Sequence, residues 1–275
     1  MIIGVDLGGT NIRTGLVDNG LILEQKSATL MDKDKLSNTI EQIIDQIAPF
    51  IKYNIKGIGV GVPSVVDIER GIVFNVVNIP SWEKVELKSI LQNKFKLPVF
   101  INNDVNCFIL GEHRYGDARF FKSVVGLTMG TGLGAGIIIN NSLYNGYNCG
   151  AGEIGSLPYL DKDYETYCSN AFFEAVYNTT ALRAFYEASE GNNHAINSWK
   201  EYGMHLGNVI KATLLTFDPE AMILGGSLVK AYNFFQNSMK ESLLDFPYPK
   251  SIERLNLIVS QNENIALLGA AALLE

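Results

Sequence analysis

The chain has 275 residues, 47% of them apolar, and carries 22 Lys and Arg against 29 Asp and Glu for a formal net charge of −7. That length supports one large core or two smaller ones, while the acidic balance argues against non-specific nucleic-acid binding, which needs basic surface to neutralise phosphates. Three widely spaced cysteines (Cys107, Cys149, Cys168) do not suggest a disulfide framework, no signal-peptide pattern opens the chain, and its longest weakly polar stretch, 123–139, is broken by five glycines. A cytoplasmic globular protein that does not contact membranes is expected.

The apolar run from Ile2 to Val5 delivers Asp6, and Gly8, Gly9 and Thr10 follow at once. A buried strand ending this way suits a phosphate and metal site. Glycine backbone approaches an anion closely with its N–H groups inward, Thr10 adds a hydroxyl donor, and Asp6 can hold a hydrated Mg²⁺. Residues 2–29 read as three strands, with Asn19-Gly20 as a hairpin turn. Apolar residues at Ile40, Ile43, Ile44, Ile47 and Phe50 give the spacing of a one-sided helix over 36–51. A buried strand over 55–62, a helix over 85–95 and a strand over 98–101 come next, the last running into Asn102-Asn103-Asp104.

Beyond about residue 110 the pattern starts again. Strands are predicted over 124–129 and 135–139 on either side of a glycine loop, with further strand-like residues past Asn140-Asn141. Helices are predicted over roughly 170–189, 195–217 and 228–245, with a short strand over 221–224, a last strand over 255–259 and a final helix over 265–274. Three strands followed by crossover helices, occurring twice, predicts two related α/β lobes with a cleft between them. The boundaries are set at 1–108, completed by the helix over 263–275, and 109–262.

The loop Gly130-Thr131-Gly132-Leu133-Gly134 is followed by strand-like residues, so it is not a dinucleotide fingerprint, which needs a helix there. No Walker A sequence occurs anywhere. Asp104, at a strand-to-helix junction, reads either as a helix cap or as a general base. Two phosphate-type loops in the same chain tip the balance to the base, because phosphoryl transfer asks mainly for positioning, charge neutralisation and a carboxylate to take the hydroxyl proton. Asn103 beside it can fix a substrate hydroxyl. Glu153, set between glycines in an apolar, turn-rich segment, suits a ligand-facing carboxylate. Glu174 reads alone as an ordinary helix-face residue, and His113, His194 and His205 show no metal spacing.

Six motifs in order resemble the ROK family of sugar kinases, within the actin-like (ribonuclease H-like) ATPase superfamily. They are Asp6-Leu-Gly-Gly-Thr10, Gly59-Val-Gly-Val-Pro63 with Val66-Asp67, Asn102-Asn-Asp104-Val-Asn106, Gly130-Thr-Gly-Leu-Gly134, Gly150-Ala-Gly-Glu-Ile-Gly155 and Ile223-Leu-Gly-Gly-Ser227. The resemblance implies ATP and Mg²⁺ bound between two lobes and Asp104 deprotonating a sugar hydroxyl, typically the 6-OH. It implies phosphate contacts at Asp6, Gly8, Gly9, Thr10, Gly130, Thr131, Gly132 and Gly134, adenosine contacts at Gly225, Gly226 and Ser227, and sugar contacts at Asn78, Asn103, Asp104, Glu153 and Glu174. Homodimers are common in this family.

Most members place His after Glu-Ile-Gly and a Cys-x-Cys-Gly-x-x-Gly-Cys zinc loop ahead of the sugar-binding Glu. Here Ser156 takes the His position, and Glu165, Tyr167 and Phe172 take the Cys positions, with Cys168 off the pattern. A lone thiol cannot build a closed tetrahedral site, so no zinc is expected. Repressors of the family carry a helix-turn-helix ahead of the first motif, and only five residues precede Asp6. A hexose kinase is therefore expected, with a non-catalytic sugar sensor on the same scaffold as the alternative.

Overall fold

The computed structural model describes residues 1–275, which divide into two compact units. The first holds Met1–Phe120, Gly136–Ala151 and Gln261–Glu275; the second holds Phe121–Ala135 and Gly152–Ser260.

The first unit opens with β1 (Ile2–Leu7), β2 (Asn11–Asp18) and β3 (Leu21–Thr29). Asn19 and Gly20 both take positive φ, 49° and 76°, which is the turn that matches strand twist in a two-residue hairpin. Helix α1 (Leu36–Ile47) and β4 (Ile58–Val62) follow. A small meander of β5 (Val66–Asp67), β6 (Ile72–Phe74) and β7 (Lys84–Val85) leads to α2 (Leu87–Phe95), β8 (Val99–Asn103) and α3 (Asp104–Tyr115). The main sheet has the order β3-β2-β1-β4-β8, with β1–β4 and β4–β8 parallel. The central strands β1 and β4 are buried nearly end to end, as covered parallel strands require.

Gly4 and Gly59 are paired across β1 and β4. A Cβ on either would collide with the backbone carbonyl of Leu267 or Ala270 respectively, so the two glycines form the floor on which the last helix lies. That helix packs on α3 through Gly111 and Gly269 in the same way. Because α3 runs unbroken past residue 108 and holds this partner, residues 109–120 stay with the first unit.

The second sheet has β9 (Val124–Met129), β10 (Leu133–Ile139), β11 (Ser142–Leu143), β14 (Ala221–Gly225) and β15 (Asn256–Val259), in the order β11-β10-β9-β14-β15. Position for position this repeats the first sheet: a meander of three, then two parallel strands. Between these strands lie the hairpin β12 (Pro158–Tyr159) and β13 (Lys162–Asp163) and the helices α4 (Tyr164–Cys168), α5 (Asn170–Tyr177), α6 (Ala181–Ser189) and α7 (Asn193–Phe217). Helices α8 (Tyr232–Glu241) and α9 (Pro249–Arg254) precede β15, and α10 (Ile265–Ala272) closes the chain in the first unit.

The helix predicted over 170–189 is two. Asn178 turns left-handed at φ 50° to end α5, and the Thr180 hydroxyl accepts from the Arg183 N–H at 3.2 Å to start α6. The span predicted over 228–245 opens with a 3₁₀ turn, Ser227–Ala231, before α8. Phe172, Phe173, Trp199, Tyr202 and Phe235 build the aromatic core of this unit at ring separations of 4.4–6.1 Å. No helix is long and apolar enough to cross a membrane.

Candidate functional site

In the first unit, sheet register sets the site. Asp6 pairs with Gly61, and Gly61 with Asn102, so three parallel strands end in one row with Asn103 and Asp104 at its edge. Gly61 makes this junction possible: a Cβ there would stand 3.1 Å from Cys107 Sγ and 3.5 Å from the Asp104 Cα. Cys107 is fully buried. Burial, followed by the charges of Asp6 and Asp104, pushes its thiol well up.

Asn103 caps α3. Its Oδ1 accepts from the Val105 N–H at 2.9 Å and the Asn106 N–H at 3.3 Å, and its Nδ2 donates to the Ser64 carbonyl at 3.3 Å. Asp104 is the first residue of the helix and half-buried, with Oδ1 accepting from the Val105 N–H at 2.9 Å. Behind the junction, Asn145 Oδ1 accepts from Asn102 Nδ2 at 3.0 Å and from Asn106 Nδ2 at 3.2 Å, tying the loop after β11 to the base of α3.

Asp6 is 8% exposed and paired with Arg13, whose Nε and Nη2 reach Oδ2 at 3.0 and 2.5 Å. Arg13 Nη1 also donates to the Glu263 carbonyl at 2.7 Å. The guanidinium occupies one carboxylate oxygen, leaving Oδ1 for a hydrated cation, so the donor chemistry fits Mg²⁺ held through water. The Gly8-Gly9-Thr10 turn is closed by the Gly8 N–H donating to the Asn11 carbonyl at 2.9 Å. Asn78 lies against it, since a Cβ on Gly9 would stand 2.6 Å from the Asn78 Cβ.

In the second unit, the Gly130–Gly134 turn joins β9 to β10, with the Gly130 N–H donating to the Gly132 carbonyl at 3.0 Å. Gly226, at φ 88°, lies against the Met129 backbone where a Cβ would collide, and a Cβ on Gly130 would stand 3.4 Å from Ser227 Oγ. Gly225 pairs with Thr128, so the Gly225-Gly226-Ser227 turn leaves its strand directly beside the glycine loop. That backbone-rich cradle suits a phosphate and nucleoside.

The Gly152–Ser156 turn docks on β10: the Ala135 N–H donates to the Gly152 carbonyl at 3.0 Å, and Gly152 takes φ 93°. Glu165 links the two, its Oε2 accepting from the Leu133 N–H at 3.1 Å while its Cβ sits 3.4 Å from where a Gly155 Cβ would be. Glu153 has an exposed side chain but a crowded carboxyl. Desolvation, then the charge of Glu165, raises its pKa above the usual 4.5. Ser156 is exposed at the end of the same turn. The Asn170 N–H donates to the Gly130 carbonyl at 2.8 Å, which fixes the start of α5 and places Glu174 one turn along it, exposed.

Glu165, Tyr167 and Phe172 thus have packing and hydrogen-bonding roles. Tyr167 and Phe172 join Tyr159 and His205 in a ring cluster, and the Tyr159 hydroxyl lies 3.1 Å from His205 Nδ1 and accepts from Asn208 Nδ2 at 3.0 Å. Burial holds His205 below its usual pKa despite Glu201 nearby. Arg13 and Lys33, whose Nζ donates to the Gly9 carbonyl, belong to the first-unit site and are marked by no sequence motif. Arg13 was accessible from hairpin arithmetic, because a turn over Gly8–Asn11 sets Asp6 opposite Arg13; Lys33, on an irregular segment, offers no comparable signal.

The family model described as the ROK family matches residues 2–275. A glucokinase of Thermotoga maritima is 28% identical, the match covering 100% of this chain and 97% of that protein. A xylose repressor of Bacillus spizizenii is 29% identical, covering 98% of this chain and 76% of the repressor. A ROK family glucokinase from Streptomyces griseus, solved in complex with glucose and AMPPNP, superposes with a TM-score of 0.84 at 25% identity, covering 99% of this chain and 98% of that one.

Proposed function

The chain belongs to the ROK family, with the α/β fold of the actin-like ATPases, and from that premise we propose that it is an ATP-dependent kinase of a hexose or hexose derivative. The observation that carries the reading is Asp104. A half-buried carboxylate is held at a helix N-terminus, on a strand end that shares its row with Asp6 and the first glycine turn. Asp104 takes the proton of the sugar hydroxyl, the 6-OH in this proposal, as that oxygen attacks the γ-phosphorus of ATP and the bond to the departing ADP breaks. Asn103 orients the hydroxyl, and Asn78, Glu153, Ser156 and Glu174 hold the rest of the sugar.

Gly8, Gly9 and Thr10 in the first unit, and Gly130, Thr131, Gly132 and Gly134 in the second, donate to the phosphates. Gly225, Gly226 and Ser227 receive the nucleoside. Asp6 would hold Mg²⁺ through water, and the ion when bound supplies neutralisation of phosphate charge. A cytoplasmic homodimer belongs to the same proposal, and light scattering on the purified protein measures the dimer.

The xylose repressors among the relatives favour one second reading, a sugar sensor without turnover. ADP release with glucose, mannose, fructose, allose, N-acetylglucosamine and N-acetylmannosamine separates the two. The kinase gives sugar-dependent ADP with at least one of them. Sugar binding without ADP for all six contradicts the kinase reading.

A further inference from the structure

Lys33 lies in the segment that leads out of β3, and its Nζ donates to the carbonyl of Gly9, the tip of the first glycine turn. The backbone there is fixed. The Ser81 N–H donates to the Lys33 carbonyl at 3.2 Å, the Lys35 N–H donates to the Asp32 carbonyl at 3.0 Å, and Asp32 takes a left-handed φ of 50°. Asn78 crowds Gly9 from its side-chain atoms, its Nδ2 falling 2.9 Å from where a Gly9 Cβ would be. Ser81 Oγ, on the strand of contacts that fixes Lys33, is buried without a hydrogen-bond partner.

An ammonium has three N–H donors and the Gly9 carbonyl uses one. Arg13, the other cation close to this turn, is engaged by Asp6 and the Glu263 carbonyl. Phosphoryl transfer spreads negative charge over three equatorial oxygens and gains most from fixed donors aimed at them. Gly9 touches Asn78, a sugar contact in the kinase reading, so on that reading a cation held at Gly9 stands at the transferred group and not at the nucleoside end.

We propose that Lys33 is a catalytic residue that donates to the oxygens of the γ-phosphoryl group of ATP, held for that task by the Gly9 carbonyl. The proposal rests on the kinase reading above. Its test compares wild type, Lys33→Met and Lys33→Arg for binding of AMPPNP and of ADP by calorimetry with Mg²⁺ present, with thermal midpoints recorded beside them. Lys33→Met should weaken AMPPNP by about tenfold or more, the loss of a charge-assisted bond, and leave ADP, which lacks the γ-group, within about threefold. Lys33→Arg should fall between, and both variants should keep the wild-type midpoint because the side chain is only half-buried. If wild type binds both nucleotides and Lys33→Met weakens neither, or weakens both equally, the role of Lys33 is wrong and the kinase reading stands. If wild type binds neither nucleotide, the kinase reading falls and takes this one with it.

Discussion

Replacing Asn103 separates its capping of α3 from its standing as an uncharged neighbour of Asp104, the proposed base. In Asn103→Ala the Val105 N–H keeps Asp104 Oδ1 at 2.9 Å, so only the Asn106 N–H, bonded at 3.3 Å, loses its acceptor. The cap loss therefore falls near the middle of the usual range, about 1 kcal/mol. Losing the long bond from Nδ2 to the Ser64 carbonyl adds about 0.5 kcal/mol. The sum, about 1.5 kcal/mol, is readable as a shift of the urea midpoint followed by circular dichroism. Asn103→Asp keeps the capping oxygen and adds a charge that the helix dipole favours, but it also loses the donor to the Ser64 carbonyl and sets two carboxylates side by side, so its stability should fall by about 1 kcal/mol. Its distinguishing effect lies elsewhere. A second carboxylate beside Asp104 disfavours the ionised base and raises its pKa, so the acid limb of kcat/KM moves to higher pH. The Oδ1 atoms of Asn103 and Asp104 both lie 2.9 Å from the Val105 nitrogen, hence within twice that distance, 5.8 Å, of each other; at an effective dielectric of about 20 the repulsion is about 3 kcal/mol, which partial exposure reduces but leaves readable in the acid limb. Asn103→Ala should leave that limb in place. An Asn103→Asp protein with an unmoved acid limb, or an Asn103→Ala protein with a moved one, refutes the division of labour.

Arg13→Met leaves the Asp6 carboxylate, 8% exposed, without its guanidinium. A fully buried orphan would cost about 3–5 kcal/mol; the Arg13 side chain is 36% exposed, so about 2 kcal/mol is expected in urea unfolding, and a loss under about 0.5 kcal/mol contradicts it. Glu165→Gln keeps an acceptor for the Leu133 N–H but removes the charge that helps raise the Glu153 pKa. As the pH falls, the sugar KM should therefore begin to rise at a lower pH than in wild type, and an unchanged or upward-shifted limb would remove Glu153 from the sugar contacts.

Much of the scaffold was legible because its signals are local. The apolar run into Asp6, the Asn19-Gly20 turn and the one-sided spacing of α1 each state a strand, a hairpin or a helix without reference to the rest of the chain. The doubled α/β pattern was legible too, since each sheet is written as a meander followed by crossovers. Contacts between distant segments were harder to read. That Asn103, and not Asp104, supplies the paired cap bonds depends on side-chain direction at one junction. That Glu165 reaches the Leu133 N–H depends on how α4 folds back over the glycine loop, 32 residues away in sequence. Lys33 reaches Gly9 from an irregular segment with no period to betray it. The glycines at 4, 59, 111 and 269 are plain in the sequence, but only the packed helix shows what each makes room for.

The central claim is that Asp104 removes the proton from the acceptor hydroxyl. The direct measurement is turnover of Asp104→Asn on the best sugar of the panel, alongside calorimetric binding of that sugar. The amide can still hydrogen-bond a hydroxyl but cannot accept its proton, so kcat should fall by about 10²–10⁴ while sugar affinity stays within about tenfold. A variant that turns over within about threefold of wild type contradicts the claim.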